Sequence, residues 1–145
     1  MRTRLTIKAT YGSRPLNFKR HTTYVDYPHI SVVFKNPDTG IMDGGRHNFL
    51  IDTGASISIV NASSKGFLDK LKPIDEISIV YGAGGSAKCA VYEVIMVMNG
   101  QDVPIKVAYD TRCHCQVLGH YDFFEKMDYN LFHTTEKKTV LVKDR

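Results

Sequence analysis

The chain has 145 residues, of which 43% are hydrophobic and 23% charged, a balance that supports one folded domain with its own core and excludes a disordered or low-complexity polymer. No run approaches the roughly 18 apolar residues of a membrane span, and the basic start is followed by Leu5-Thr6-Ile7-Lys8 rather than a signal-peptide core, so a cytoplasmic protein without membrane attachment is expected. Three cysteines (Cys89, Cys113, Cys115) are too sparse for a secreted disulfide framework.

The net charge of +4 is unevenly placed. Arg2, Arg4, Lys8, Arg14, Lys19 and Arg20 fall within residues 1–25 without a single acid, which leaves the rest of the chain slightly acidic. Such an arm suits nucleic acid or an acidic partner. It has no tight cationic cluster, however, and Leu5, Ile7, Ala9 and Tyr11 alternate as a strand does. We read residues 1–25 as a basic extension contributing an added strand, and residues 26–145 as the main domain. Nucleic-acid binding through the arm stands as a rival.

In chain order, residues 4–11 read as a strand and Gly12-Ser13-Arg14-Pro15 as a turn. Residues 21–27 give little signal. Residues 30–34, Ile-Ser-Val-Val-Phe, are β-branched and apolar, a clear strand. Asn36-Pro37-Asp38-Thr39-Gly40 and Asp43-Gly44-Gly45 both signal turns, so residues 36–46 are expected to form a long loop. The strand 47–51 returns from it and drives into Asp52.

That aspartate is out of place. Phe49-Leu50-Ile51 reads as a buried strand, and an acid seldom follows one into the interior without a partner. Thr53 and Ser56 bring hydroxyls beside it, Gly54 permits a tight turn, and apolar alternation resumes at Ile57, Ile59 and Val60. On these residues alone, a strand ending in an Asx-type turn is favoured over a reactive carboxylate.

Asn61 or Ser63 is placed to cap a short helix whose apolar face is Phe67, Leu68 and Leu71, and Lys72-Pro73 ends it. Two β runs, residues 77–80 and 89–97, flank a glycine-rich tip at Gly82, Gly84 and Gly85, which makes a hairpin. A phosphate-cradling loop is excluded there, because no helix with Lys and Ser/Thr follows. Met98-Asn99-Gly100-Gln101 is a second hairpin turn. Asp110-Thr111-Arg112 reads as a turn. Cys113-His114-Cys115 tempts a metal reading, but in a strand its thiols face one way and its imidazole the other, and no second Cys/His pair completes four ligands. Val117-Leu118-Gly119 precedes an amphipathic helix expected over residues 121–127, with Asp122 and Glu125 in a capping-box-like spacing and Phe123, Phe124 and Met127 buried. Leu131 and residues 139–142 are expected to form closing strands around a turn at 134–138.

Three of these stretches, in this order, resemble the aspartic proteases of the retropepsin-like type: Phe49-Leu50-Ile51-Asp52-Thr53-Gly54-Ala55-Ser56, Tyr81-Gly82-Ala83-Gly84-Gly85, and Val117-Leu118-Gly119. The resemblance spans roughly residues 28–142. The Gly-His-Tyr-Asp-Phe-Phe-Glu run from Gly119 is closer to bacterial members than to viral ones. It implies a mostly β, closed β-barrel with a glycine-rich flap hairpin and one short C-terminal helix. It also implies an aspartic endopeptidase that needs no metal or other cofactor and works as a homodimer on a peptide or protein substrate. Asp52 would be the acid/base, Thr53 and Gly54 would shape its loop, and Ala55, Ser56, Tyr81, Gly82, Ala83, Gly84 and Gly85 would contact substrate. Viral members carry an ion pair at the positions that Ser56 and His120 fill here, so those dimer-stabilising charges are absent. A non-enzymatic dimerisation or peptide-binding module on the same fold is a further rival.

The chemistry constrains assembly. Two carboxylates within hydrogen-bond reach cannot both ionise cheaply, so they hold one proton between them, and one activates a water while the other donates. One Asp-Thr-Gly per chain means the pair must come from two chains related by a two-fold axis.

Overall fold

Long alternating strands dominate, and they order themselves around the Asn-Gly and Asn-Pro turns of the sequence. The computed structural model describes residues 4–80, 85–126 and 140–144. Among them the strands are β1 (Arg4–Lys8), β2 (Thr10–Asn17), β3 (Thr22–Lys35), β4 (Met42–Ile51), β5 (Ser58–Val60), β6 (Asp75–Val80), β7 (Ser86–Met98), β8 (Gln101–Tyr109), β9 (Val117–Leu118) and β10 (Val140–Asp144). A single α-helical turn, α1 (Lys65–Leu68), follows a 3-10 turn at Ala62–Ser64. No helix among the described residues is long and apolar enough to cross a membrane.

β1 and β10 form a two-stranded antiparallel sheet. The other eight strands form one sheet in the order β2-β3-β4-β9-β5-β8-β7-β6, and an additional pairing of β3 with β7 joins its two halves into a ring. Inside lie Phe34, Phe49, Val94, Met96, Ile105, Leu118 and Phe123, all fully buried. Burying each such side chain contributes about 1.5–3 kcal/mol before entropy is counted. Phe34 organises one end: its ring stacks on His47 at 4.1 Å, lies 5.0 Å from Phe67 of α1, and meets Phe49 edge-on at 5.9 Å.

Several local expectations hold. Asn61 caps the 3-10 turn, accepting from the Ser63 N–H, and Phe67 and Leu68 are buried behind it. Asn99 (φ 48°) and Gly100 (φ 74°) both take the left-handed conformation that a two-residue hairpin loop requires, with Met98 paired to Gln101.

Others are corrected. Gly12-Ser13-Arg14-Pro15 is the middle of β2, not a turn. β2 lies at the sheet edge, where a proline without an N–H is tolerated. Gly12 makes room for His29, whose Nε2 stands 3.3 Å from where a Cβ would sit. The reversal comes later, where the Phe18 N–H donates to the His21 carbonyl at 2.8 Å. The loop at residues 36–46 is also shorter than expected. Asn36 closes a turn by accepting from the Asp38 and Thr39 N–H groups, and Asp43-Gly44-Gly45 falls inside β4. There the register jumps from Lys35↔Met42 to Val33↔Arg46, so the glycines form a bulge.

The helix expected over residues 121–127 is a turn followed by a 3-10 segment, Phe124–Lys126, with Met127 outside the described residues. Asp122 has φ 66° and accepts from the Lys106 N–H at 2.6 Å, so its carboxylate ties this turn to β8 rather than capping a helix. Phe123 and Phe124 are buried as expected. The expectations for Leu131 and the turn at 134–138 lie outside the described residues.

Candidate active site

Asp52 sits where β4 leaves the sheet. β9 inserts beside β4 in parallel register, with Leu50 opposite Val117 and Ile51 opposite Leu118, while Ile59 of β5 pairs with Val117 from the other side. The two residues of β9 therefore brace both ends of the loop that carries Asp52. The Asp52 N–H donates to the Leu118 carbonyl at 3.1 Å, and the Gly54 N–H donates to the carboxylate Oδ1 at 2.9 Å. The carboxylate thus has one oxygen held by backbone.

Gly119 fits under this loop because it has no side chain. A Cβ there would stand 2.6 Å from the backbone carbon and oxygen of Ile57 and 2.8 Å from the Ala55 carbonyl oxygen. Its N–H donates to the buried Ser58 hydroxyl at 3.0 Å. His120 continues the support. Its N–H donates to the Ala55 carbonyl at 2.9 Å, and its ring Nε2 lies 2.6 Å from the Thr53 carbonyl oxygen, which requires Nε2 to carry the hydrogen. The Tyr121 N–H then donates to the Ser56 carbonyl at 2.7 Å. Val117-Leu118-Gly119, one of the three stretches that carry the resemblance, packs against the Asp52 loop. The sequence did not show that His120 itself holds the loop.

Asp52, Gly54, Ala55 and Ser56 line one groove of about 490 Å³. Thr53 and Gly54 are exposed and Asp52 is half-buried. Ile57, Ile59 and Val117 form the floor, packed with Cys89 and Ala108 into a second apolar cluster. The opposite wall is β6, which contributes Ile77, Ile79 and Val80, the last 71% exposed. These wall residues were not singled out from the sequence, although the alternation Ile77, Ile79 carried the signal.

β6 and β7 form the glycine-tipped hairpin, paired to Val80↔Ser86. Gly85 has φ +99°, a conformation side chains rarely adopt, and open space around its missing Cβ. Tyr81, Gly82, Ala83 and Gly84 lie outside the described residues.

The Cys113-His114-Cys115 segment is corrected from strand to loop, and its thiols diverge. Cys113 lines the Asp52 groove, while Cys115 lines a different pocket beside His114. Burial, foremost, raises the Cys113 thiol above its ordinary value, opposed by a hydrogen bond with the Cys115 backbone and helped by Cys115, Asp110 and Asp52. It is therefore an inert apolar wall at neutral pH rather than a nucleophile. Asp110-Thr111-Arg112 is a turn as expected: Asp110 is buried and accepts from the Arg112 N–H at 2.9 Å.

No family model matches the chain, and no curated protein matches it. Solved structures do. The crystal structure of a retropepsin-like aspartic protease from Rickettsia conorii superposes with a TM-score of 0.57 at 16% identity, covering 99% of this chain and 93% of that one. EIAV protease complexed with the inhibitor HBY-793 gives 0.48 at 17% identity, over 68% of this chain and 86% of that one. The Simian Foamy Virus (mac) protease gives 0.45 at 20%, over 70% and 100%. The fold is retropepsin-like, on the first of these comparisons.

Proposed function

We propose that this protein is an aspartic endopeptidase whose site is completed by a second copy of the chain. One observation carries the reading: a half-buried carboxylate, oriented by the Gly54 N–H, stands at the edge of an apolar-floored groove walled by β6, one arm of the β6–β7 hairpin. An extended peptide fits such a groove, with its apolar side chains against Ile57, Ile77 and Ile79 and its backbone within reach of the hairpin. In this reading the hairpin is a flap, and Gly82, Gly84 and Gly85 let bare amides approach the peptide.

A single Asp52 supplies half of the acid/base pair. Two copies meeting at the exposed Thr53-Gly54 face bring two carboxylates together, sharing one proton. The ionised one takes a proton from water as it attacks the peptide carbonyl, and the protonated one donates to the departing nitrogen. Thr53 hydrogen-bonds across the axis and keeps the pair in plane. The dimer lacks an ion pair at these positions, since Ser56 carries no charge, and the His120 ring instead engages the Thr53 carbonyl of its own chain. The β1–β10 ribbon offers the additional interface, because among the described residues its two strands pair only with each other and leave edges for another chain.

Incubation with a diverse peptide library, read by mass spectrometry, tests the activity. Cleavage that a statine-type inhibitor blocks and that Asp52→Asn abolishes is the expected result. Cleavage retained in pure Asp52→Asn protein removes the assignment.

A further inference from the structure

The second pocket, of about 380 Å³, opens on the other side of the loop that carries Cys113. Its walls come from β2 (Arg14), β3 (His29), β4 (Arg46), the 3-10 turn (Asn61) and the loop (His114, Cys115). Among the described residues no acidic side chain lines it. His47 is at its base but is already matched by Asp43, whose Oδ2 lies 2.8 Å from Nε2. Among the described residues, Arg14 and Arg46 are therefore the pocket charges without a carboxylate partner.

Among the described residues, Arg14 is held by a sulfur and a ring rather than by a carboxylate. Its Nη1 lies 3.4 Å from the Cys115 sulfur, and its guanidinium sits 5.9 Å from the centre of the Tyr27 ring. A guanidinium fixed by a ring and a sulfur keeps most of its forked donors for something else. The field in the pocket is felt by its neighbour: His29 is depressed from its ordinary value of 6.5, first by burial and then by the Arg14 charge. A folded chain that gathers two arginines around a concave surface, with no acid among the described residues of its walls, is arranged for an anion.

We propose that this pocket binds a phosphate monoester, with Arg14 and Arg46 as the charged ligands and Asn61 and His114 as further hydrogen-bond donors. The volume exceeds that of a phosphoryl group alone and leaves room for a small attached organic part, within the range of small-molecule sites. The phosphate comes either from a free metabolite ester or from a phosphorylated side chain of a protein; the recognised chemistry is the same. The proposal is independent of Asp52 and of proteolysis.

Titrating the full chain with phenyl phosphate and, separately, with a short phosphoserine peptide, followed by amide chemical shifts, tests it. We expect saturable shifts at Asn48, Asn61 and Cys115. Arg46→Ala, at an exposed position, weakens binding at least about tenfold, the worth of one charge-assisted hydrogen bond. Arg14→Lys, which keeps charge and removes the fork, weakens it too, while Lys72→Ala leaves it unchanged. Tighter binding of the peptide identifies a protein side chain as the source, and tighter binding of phenyl phosphate identifies a small ester. Absence of saturation with both probes overturns the proposal. So does equal weakening by Lys72→Ala, which marks diffuse attraction, or binding of a single-stranded oligonucleotide without binding of either ester.

Discussion

Gly119 and Asp52 depend on each other at the scale of single residues. The backbone of Ile57 and Ala55 passes so close to Gly119 that any side chain must push the Asp52 loop outward. Gly119→Ala should therefore cost about 1–3 kcal/mol of stability, measured by urea denaturation, and should also lower cleavage. An alanine variant as stable as the parent shows that the loop has slack. His29 gives a prediction in pH. Its folded value is depressed, so below its unfolded value of 6.5 the unfolded chain binds the proton first, and stability falls as pH drops through that value. Above 6.5 both states are neutral and the residue contributes nothing. Arg14→Gln removes the repulsive charge, and the loss between about pH 7 and 5 should shrink relative to the parent. An unchanged pH profile contradicts the placement of Arg14 beside His29.

At the scale of elements, the local signals that were legible were those whose physics is local. Asn99-Gly100 forms its turn because both residues accept positive φ, and Asn61 caps because its side chain reaches an N–H two residues on. The apolar run into Asp52 and the Val117-Leu118-Gly119 element were legible as motifs, but their parallel pairing joins residues more than sixty apart and had no local sign. The misread stretches have the same cause. Gly12 and Pro15 look like a turn until β2 is known to be an edge strand with His29 pressed against Gly12. Gly44 and Gly45 look like a loop until β3 is there to be bulged against. Asp122 looks like a helix cap until Lys106 of β8 offers its N–H. The hairpin of β6 and β7 yields its own prediction. Gly85→Val places a β-branched side chain at φ +99° in open space, so the cost falls on the conformation of the hairpin tip rather than on packing. Catalytic efficiency should drop much more than global stability, compared through kcat/KM and Tm. A collapse of Tm with cleavage barely altered reverses that ranking and removes the flap reading.

For the whole molecule, the account stands on two chains making one site. The measurement that tests this most directly is the cleavage rate of a fixed amount of wild-type protein as Asp52→Asn chains are added and allowed to exchange. If the carboxylates are shared, a tenfold excess of the variant leaves about a tenth of the wild-type chains paired with one another, and activity per wild-type chain falls to about that fraction. Activity per wild-type chain that stays constant across the series contradicts the account, because each chain would then hold a complete site of its own.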